Sequence, residues 1–559
     1  MTSAVSSFKP IQRIHCVLIF LVMLVLRVAS AWRFRADTDE LQHLHVVWGW
    51  VNGYLPYRDV FDNHGPIFHV LLAPLFYLLG ERADILVPMR LAMIPFFAIC
   101  LWCIYRIGTA LFSRNVAIWS TIFAGFYPEF FLTSAEFRTD VLWTTLWFLT
   151  LVTITRPAYT MKHAFLTGLL LGGCFGVTVK TGLMVGALGP WGLLGAVRVW
   201  KEEGKAAVRS LAGRILAGLA GFVIVPGGAF LFFVMHGAGP QFLYCNISHN
   251  LVPHAQNWAR FDEHVLWFPI FLIIVVGAFV YFRKLAFSAI AIQRIGLVLT
   301  AGFYFTALKT FFPTLTRQDD LPVIPLATLV VIALPFLLAD RLASRPRLQM
   351  ALQVTFPVLL LIEIVVIAAK TANWRDDTAA QFATVADVLK ATEKREFVMD
   401  ATGETIYRPR PYYYAIEAFT KVRIERGLIE DNIAQRLIDT QTALVRPRDL
   451  TAKARLFIRE NYLLIGHDLW MLGKKVKPSK AISKTEMNFE TAIGGSYTIL
   501  TPEAKMAMGT LDGIPFTGER LLEPGKHHFV AEAAVEDYLL LFSARGFQRG
   551  FIPHEAESL

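Results

Sequence analysis

Cysteine is scarce in this chain: only five occur among 559 residues, and none follows Cys245. No disulfide framework can therefore hold the C-terminal half together. The net charge is +10, but the basic residues are not gathered on one soluble face, so the composition does not favour a nucleic-acid partner. Charged residues make up 18% of the chain and hydrophobic residues 55%, which is too apolar for a soluble globular protein.

Long apolar runs are abundant instead. A helix needs about 20 apolar residues to cross a bilayer. The sequence predicts eleven spans, at 14–32, 85–105, 115–133, 140–155, 164–179, 183–199, 213–235, 265–282, 295–312, 321–339 and 349–369. The first span lacks a small-residue cleavage site and is interpreted as a retained signal anchor. Residues 67–80 are shorter and contain Pro74, so we expect this segment to lie in the membrane interface or to be re-entrant.

The connections between spans alternate in composition. One set is basic and includes the Lys201 to Arg214 connection, which the positive-inside rule assigns to the cytoplasm. The other set is rich in acid and histidine and includes 37–66, 132–140, 236–264 and 314–322. We therefore expect a multi-pass protein of a bacterial inner membrane, with a cytoplasmic N-terminus and a periplasmic tail from about residue 371.

The tail has the composition of a soluble domain. Its patterns predict helices at 376–394 and 429–442, a strand at "EFVMD", and strand-like material in "LFIRENYLLIGHDLWML". From Ala492, short strands alternate with turns at Asp512-Gly513 and Pro524-Gly525. The predicted fold is a polytopic α-helical membrane region over 1–370, with a first external loop at 33–84, followed by an α/β domain at 371–490 and a β module at 491–559.

Charge is concentrated in the loop after the first span, "DTDELQHLHVVWGWVNGYLPYRDVFDNHGP". Asp39 and Glu40 could complement the dipole of a helix from 40 to 52, or one of them could act as a general base. The turn that follows this helix could simply be a structured loop. However, the turn carries enough charged residues to form a binding site. The turn residues concerned are Arg58, Asp59, Asp62 and His64.

The acids after span one, the aromatic helix and the pattern "G-x-x-P-Y-R-D-x-F-D-x-H-G-P" resemble the first external loop of GT-C glycosyltransferases. The resemblance is to the polyprenyl-phosphate-sugar-dependent branch, which includes protein mannosyltransferase-like and lipid A-modifying enzymes. It implies inverting transfer of a sugar from a lipid phosphate to an acceptor hydroxyl of a glycan, lipid or protein. It also implies a first-loop general base, here Asp39, with Glu40 beside it and Asp37 as the substitute. His64 stands where many relatives carry a lysine.

Two further sets of residues are candidates for this chemistry. Glu136, Arg138 and Asp140 in "SAEFRTD" could cap a helix, and the resemblance assigns Asp140 in particular to acceptor or sugar binding. Lysines at span ends often reach for lipid headgroups. However, Lys180, Lys309 and Arg317 all fall on the predicted outer side, where cations could stabilise a leaving phosphate.

Three alternatives compete with this interpretation. A divalent metal could be held by His43, His45 and Asp39, or by His249 and His254, although the resemblance implies a reaction without a metal cofactor. Cys100-x-x-Cys103 lies in an apolar helix and is interpreted as packing. A transporter or flippase would place ionisable residues inside its spans and show repeated halves, and no internal repeat is visible in the sequence.

Overall fold

The structure is a computed structural model that describes residues 12–252, 288–312, 316–341, 346–371, 375–479 and 484–554. It divides into two compact units. The first unit contains residues up to Arg35, Asp62–Leu72 and Leu86–Asp377. The second unit contains Ala36–Phe61, Ala73–Ile85 and Thr378–Leu559. Segments of the predicted first external loop are therefore part of the same unit as the C-terminal residues.

The first unit is helical. Helix α2 and part of α3 belong to the second unit. Among the described residues up to 371, the helices in chain order are α1 Arg13–Arg33, α2 Thr38–Val51, α3 Ile67–Leu79, α4 Leu86–Leu91, α5 Ile94–Leu111, α6 Arg114–Phe126, α7 Pro128–Thr133, α8 Thr139–Ile154, α9 Met161–Val177, α10 Thr181–Glu203, α11 Ala207–Met235, α12 Gly239–Leu243, α13 Ala289–Phe311, α14 Ile324–Arg341 and α15 Pro346–Thr371. Short 3-10 helices form at Gly204–Ala206 and Arg317–Asp320, and a π-helical turn forms at Tyr244–Ser248.

Most of these helices coincide with the predicted spans. Among the described residues, five helical segments are long and apolar enough to cross a membrane, and four shorter apolar helices accompany them. The span predicted at 265–282 lies outside the described residues. The predicted span at 115–133 is broken between α6 and α7 because Pro128 begins a new helix there. The prediction of a polytopic helical protein is confirmed.

The predicted interfacial segment forms α3, a helix of 13 residues with Pro74 inside it. Its length is below that needed to span a bilayer without help from its neighbours. The two cysteines of the C-x-x-C pattern are buried in α5, and Cys100 Sγ lies 3.3 Å from Thr145 Oγ1 of α8. Both cysteines are buried, as expected for residues that pack against neighbouring helices.

The C-terminal part of the second unit contains helices and two sheets. Its helices are α16 Ala379–Ala391, α17 Ala418–Glu425, α18 Ile433–Asp439, α19 Ala452–Asn461 and α20 Ala544–Gln548. Its strands are β1 Val398–Met399, β2 Leu444–Val445, β3 Tyr462–Gly466, β4 Leu469–Val476, β5 Glu486–Thr491, β6 Gly495–Leu500, β7 Gly509–Leu511, β8 Ile514–Phe516, β9 Arg520–Leu522, β10 Gly525–Ala531 and β11 Leu539–Ser543.

The strands form a seven-stranded sheet and a four-stranded sheet. The larger sheet has the order β1-β2-β4-β11-β6-β9, with β3 paired to β4, and the smaller has the order β5-β10-β7-β8. The larger sheet contains strands from before and after residue 491. The predicted boundary between an α/β domain and a β module at this residue stays a prediction. Buried side chains such as Trp470, Tyr497 and Phe529 belong to one apolar core in this region.

Local sequence signals explain most of these elements. Asp512 and Gly513 both have positive φ, 52° and 75°, and connect β7 to β8 as the two-residue hairpin turn predicted from the sequence. The strand-like prediction for "LFIRENYLLIGHDLWML" is wrong at its start, where α19 extends to Asn461. Thr451 caps that helix by accepting a hydrogen bond from the Ala454 N–H. This cap lies before Leu456, the first residue of the segment predicted as strand-like.

Candidate active site

Two buried arginines fix the C-terminal end of α1. The Arg27 guanidinium donates hydrogen bonds to the Phe131 carbonyl, to Ser134 Oγ and to the Ser134 carbonyl, the last at 2.7 Å. Arg90 donates to the carbonyls of Phe34 and Arg35, at 2.7 and 2.6 Å. The Arg27 bonds join α1 to the segment that precedes α8. The Arg90 bonds join α4 to the residues that follow α1, whose carbonyls have no partner within a helix.

The acids after α1 form a capping box at the start of α2. The Asp37 carboxylate accepts a hydrogen bond from the Asp39 N–H at 3.2 Å, and the Glu40 carboxylate accepts one from the Asp37 N–H at 3.1 Å. Glu40 is fully buried. The cap therefore uses the carboxylates of Asp37 and Glu40, whereas Asp39 contributes its backbone N–H and its half-buried carboxylate lies outside the box.

The turn that follows α2 is closed by its own charged residues. Arg58 and Asp59 form a two-bond ion pair with distances of 2.9 Å, and Asp59 also accepts a hydrogen bond from the Leu55 N–H at 2.8 Å. The side chains of Arg58 and Asp59 are 49% and 29% exposed, and the contact with Arg58 lowers the pKa of Asp59. These contacts give Arg58 and Asp59 a structural role in this turn, and their predicted role in substrate binding stays a prediction.

Asp62 organises the "DNHGP" segment of the first unit. One Asp62 oxygen accepts a hydrogen bond from the His64 N–H and lies 3.1 Å from His64 Nδ1, and the other lies 3.3 Å from His69 Nδ1. The Gly65 N–H then donates to the Val177 carbonyl at 2.8 Å. A Cβ at Gly65 would lie 2.1 Å from the Gly176 carbonyl oxygen, so this close approach to the end of α9 requires glycine.

Each of the three candidate phosphate-binding cations faces a carboxylate. Lys180 Nζ lies 2.5 Å from Asp319 Oδ1, and Lys309 Nζ lies 3.1 Å from Asp320 Oδ1. The third cation, Arg317, is exposed and lies 3.6 Å from Glu129. The sequence prediction named the cations and missed these acids, although the "RQDD" run that follows Thr316 is a visible signal of charge pairing.

Lys180 is the most enclosed of the three cations. Burial lowers its pKa, but the carboxylates of Asp319 and Asp140 and the hydrogen bond to Asp319 outweigh burial, so the pKa of Lys180 is raised above its usual value. Its ammonium also lies 4.8 Å from the centre of the Phe312 ring. Lys180 is therefore a permanent cation, held at the N-terminal end of α10 by an acid and an aromatic ring.

The "SAEFRTD" residues lie buried beside Lys180. Glu136 accepts a hydrogen bond from Gln318 Nε2 at 3.0 Å, and Arg138 Nε lies 3.5 Å from Asp140 Oδ2. Asp140 interacts electrostatically with Lys180, Arg138 and His64. The first unit thus brings together His64, Arg138, Asp140 and Lys180, which are distant in sequence and were all predicted site residues.

The candidate metal ligands have other contacts. His45 is buried, and its Nδ1 lies 2.8 Å from the Ile406 carbonyl oxygen. His249 Nδ1 lies 3.3 Å from the Tyr244 hydroxyl. His254 lies outside the described residues. Because a ring nitrogen that donates to a carbonyl is not available to a metal, His45 retains only its other nitrogen as a potential ligand atom.

Comparison with known proteins places this arrangement in context. Residues 63–226 match the family model of dolichyl-phosphate-mannose-protein mannosyltransferases. The apo structure of ArnT from Cupriavidus metallidurans matches with a TM-score of 0.56 at 13% sequence identity, covering 82% of this chain and 97% of that chain. ArnT from the same organism bound to undecaprenyl phosphate matches with a TM-score of 0.52, at 13% identity, over 77% of this chain and 92% of that chain. No curated protein matches the chain by sequence.

Proposed function

This chain has the GT-C fold of membrane glycosyltransferases, and we propose that it transfers a sugar from a polyprenyl-phosphate donor to an acceptor hydroxyl with inversion at the anomeric carbon. In this reaction the hydroxyl oxygen bonds to the anomeric carbon while the bond from that carbon to the phosphate oxygen breaks. The hydroxyl proton passes to a carboxylate, and polyprenyl phosphate leaves with the bonding electrons. The single displacement inverts the configuration.

The observation that carries the proposal is the buried cation cluster within the first unit. Lys180 and Arg138 lie with Asp140 and His64 in a region that overlaps the segment matched by the mannosyltransferase family model. A leaving phosphate gains negative charge in the transition state, and cations held in position before the reaction stabilise it most effectively. We assign the donor phosphate to Lys180, with Lys309, Arg317 and His64 as further contacts.

Three acids follow α1, and the carboxylates of two of them form the capping box. The carboxylates of Asp37 and Glu40 accept hydrogen bonds from backbone N–H groups, which restrict the movement of both side chains. Asp39 contributes its backbone N–H to the cap, and the resemblance to the first external loop of GT-C enzymes implies a general base at this position, so we assign proton abstraction to Asp39. Glu40 and Asp37 hold the helix terminus that carries it, and Asp62, Glu136, Arg138 and Asp140 are assigned to substrate binding.

The base assignment is tested by a matched pair of isosteric substitutions. Asparagine caps a helix about as well as aspartate, so Asp37→Asn should keep both the cap and the activity. Asp39→Asn should lower sugar transfer by about 10²- to 10⁴-fold, the usual contribution of general base catalysis. Release of undecaprenyl phosphate from sugar-charged donor lipids measures transfer, and binding of undecaprenyl phosphate checks folding. Full activity of Asp39→Asn would remove the proposed base.

The acceptor is proposed as a class: a hydroxyl of a cell-envelope glycan, lipid or protein. Mass spectrometry of the glycolipids and envelope polymers from a deletion strain should show one species that lacks a single sugar. A transporter or flippase would instead change the amount or the sidedness of a lipid without changing its mass.

The proposed location is a bacterial inner membrane, with the catalytic residues and the C-terminal region on the periplasmic side. The basic connection around Lys205 and the exposed Arg317 should then lie on opposite sides. A membrane-impermeant thiol reagent should label Arg317→Cys in intact spheroplasts and label Lys205→Cys only after lysis. The reverse pattern would invert the topology.

A further inference from the structure

An apolar cavity of about 350 Å³ opens between α1, α5 and α6 in the first unit. Its walls include Phe20 of α1, Leu101 and Trp102 of α5, and Ile118 of α6. Thr121 also lines it, but the hydroxyl of this residue donates to the Ala117 carbonyl within its own helix. A cavity with such walls suits a hydrocarbon chain and offers little to a polar solute.

The cavity runs along α1 from Cys16 to Phe20 and along α5 from Tyr105 to Ala98, the neighbour of Phe97, whose ring centre lies 3.9 Å from the Arg27 guanidinium. Cys16, which also lines it, is the fourth residue of α1, and Arg27, which bonds to Ser134, lies about 16 Å further along the axis at 1.5 Å per residue. Helix α6 likewise runs from Arg114 at the cavity end toward α7 and the segment that precedes Asp140. A lipid whose phosphate lies at the Arg13 end of α1 therefore has its headgroup about 21 Å along the axis from Arg27, at 1.5 Å per residue.

Three arginines lie at the N-terminal ends of α1 and α6 and near the C-terminal end of α5. Arg13 precedes Cys16 by three residues and so lies on the same face of α1. The Arg106 guanidinium lies 5.8 Å from the centre of the Trp102 ring, and Arg114 precedes Ile118 of the cavity wall by four residues and so lies on the same face of α6. All three arginine side chains belong to exposed residues. Apolar walls and a cationic rim therefore occur together.

We infer that this cavity is a binding site for one anionic phospholipid, which places an acyl chain against Phe20, Leu101 and Ile118 and its phosphate among the three arginines. Basic pockets between transmembrane helices are a known mode of recognition for anionic headgroups. Guanidinium groups can bind phosphate oxygens through two parallel hydrogen bonds, which a zwitterionic lipid engages less favourably because its own cation competes. Trp102 and Tyr105 have the amphipathic rings typical of the headgroup level.

The site is distinct from the donor site in the proposed function. A polyprenyl-phosphate donor must present its phosphate to the catalytic residues, whereas the arginine rim is at the other end of the bundle. The bound phospholipid would join α1 to α5 and α6 and so support the helix whose far end is fixed by Arg27. Its removal should lower thermal stability even in the absence of any sugar substrate.

Native mass spectrometry of the purified full chain, after delipidation in detergent, provides the test. The probes are phosphatidylglycerol, phosphatidylcholine with the same acyl chains, and undecaprenyl phosphate. Phosphatidylglycerol should bind at one copy, with an affinity about tenfold or more above that of phosphatidylcholine, and should raise the melting temperature. The double variant Arg106→Gln/Arg114→Gln should lose this preference.

Two further variants separate charge from cavity. Lys205→Gln/Arg209→Gln removes the same charge from exposed positions near the start of α11 and should bind phosphatidylglycerol as the unmodified chain does. Ala98→Trp adds bulk at a residue that lines the cavity and should abolish the single tight copy while leaving the arginines intact. Equal binding of both phospholipids, an unchanged Ala98→Trp variant, or competition by undecaprenyl phosphate at this site would overturn the inference. No sugar transfer enters the measurement, so its outcome is independent of the proposed function.

Discussion

Lys180 Nζ and Asp319 Oδ1 lie 2.5 Å apart, although 139 residues separate them in the chain. The second oxygen of Asp319 accepts hydrogen bonds from the Thr316 N–H at 2.8 Å and from the Thr316 hydroxyl at 3.0 Å. The Tyr304 hydroxyl donates to the Asp319 carbonyl. Asp319 is thus fixed by its own 3-10 helix, and it holds the Lys180 cation in one position.

Lys180→Gln should weaken the binding of undecaprenyl phosphate by about tenfold or more, because a hydrogen bond to a charged group is worth about 1.5–3 kcal/mol. Asp319→Asn should also change the affinity, but only in the presence of Lys180. In the Lys180→Gln background the second substitution should therefore have little further effect. Isothermal titration calorimetry in nanodiscs, at two salt concentrations, measures the affinity of the unmodified chain, the two single variants and the double variant for undecaprenyl phosphate. If the losses in binding free energy of the two single variants add up in the double variant, Asp319 does not act through Lys180.

Arg27 should be the principal structural cation of α1. Arg27→Met keeps much of the apolar side chain but leaves the carbonyls of Phe131 and Ser134 without their donor, at about 1–3 kcal/mol for each buried group that loses its partner. Arg33→Met at the exposed end of the same helix is the matched control and should stay near the unmodified melting temperature. If both variants melt alike, the Arg27 bonds add nothing to stability.

Sequence periodicity predicted the helices of this chain well because each span is apolar over most of its length. Where α6 gives way to α7, hydropathy continues across Tyr127 and Pro128, so only the proline marked the break. The strand-like prediction for 456–472 is right from Tyr462 onward and wrong for 456–461, where the β-propensity of "YLLIG" does not extend back over a helix with its own cap.

The candidate site was predictable in its residue types but not in its pairings. The resemblance to a family motif names Asp39, Asp140 and Lys180 as candidates, and their roles stay predictions. The contact of Lys180 with Asp319, and that of Arg27 with Ser134, depend on how distant helices pack, and a single sequence carries no signal of such long-range contacts. An arginine inside the first apolar run was nevertheless a sign of a buried polar contact.

His45 should make the stability of the second unit depend on pH. The pKa of His45 is lowered from 6.5 to about 4, chiefly by burial and to a smaller extent by the Arg410 guanidinium. The nearby Asp400 carboxylate and the hydrogen bond to Ile406 raise this pKa, but by less than burial lowers it. The folded chain keeps His45 neutral while the unfolded chain takes up a proton near pH 6.5. The contribution of His45 to stability is therefore full above pH 6.5 and falls as the pH drops toward 4, by roughly 3 kcal/mol at 1.36 kcal/mol per pKa unit.

Hydrogen exchange of the segment around Ile406, followed from pH 7 to pH 4 after correction for intrinsic rates, measures this dependence. His45→Gln should flatten it, because the amide stays neutral while it retains a donor for the Ile406 carbonyl. His467→Gln, which changes an exposed histidine paired with Asp387, should preserve the slope. A slope that survives in His45→Gln must come from another group.

Gly403 lies against the same histidine and should tolerate no side chain. Its φ is +104°, and a Cβ there would lie 2.7 Å from Cβ and 2.8 Å from Cγ of His45. Gly427 has a φ of +69° with no heavy atom within 4 Å of an added Cβ, so Gly427→Ala reports the backbone strain alone, about 1 kcal/mol. Gly403→Ala should cost about 3 kcal/mol because the contact adds to the strain.

The double variant Gly403→Ala/His45→Ala separates the two contributions to that loss. If the clash with His45 causes the excess over Gly427→Ala, removal of the imidazole should make the Gly403 substitution less costly than it is in the unmodified chain. Denaturant melts followed by hydrogen exchange at 400–408 give the cycle. A purely additive result would mean that the positive φ alone determines why glycine stands at this position.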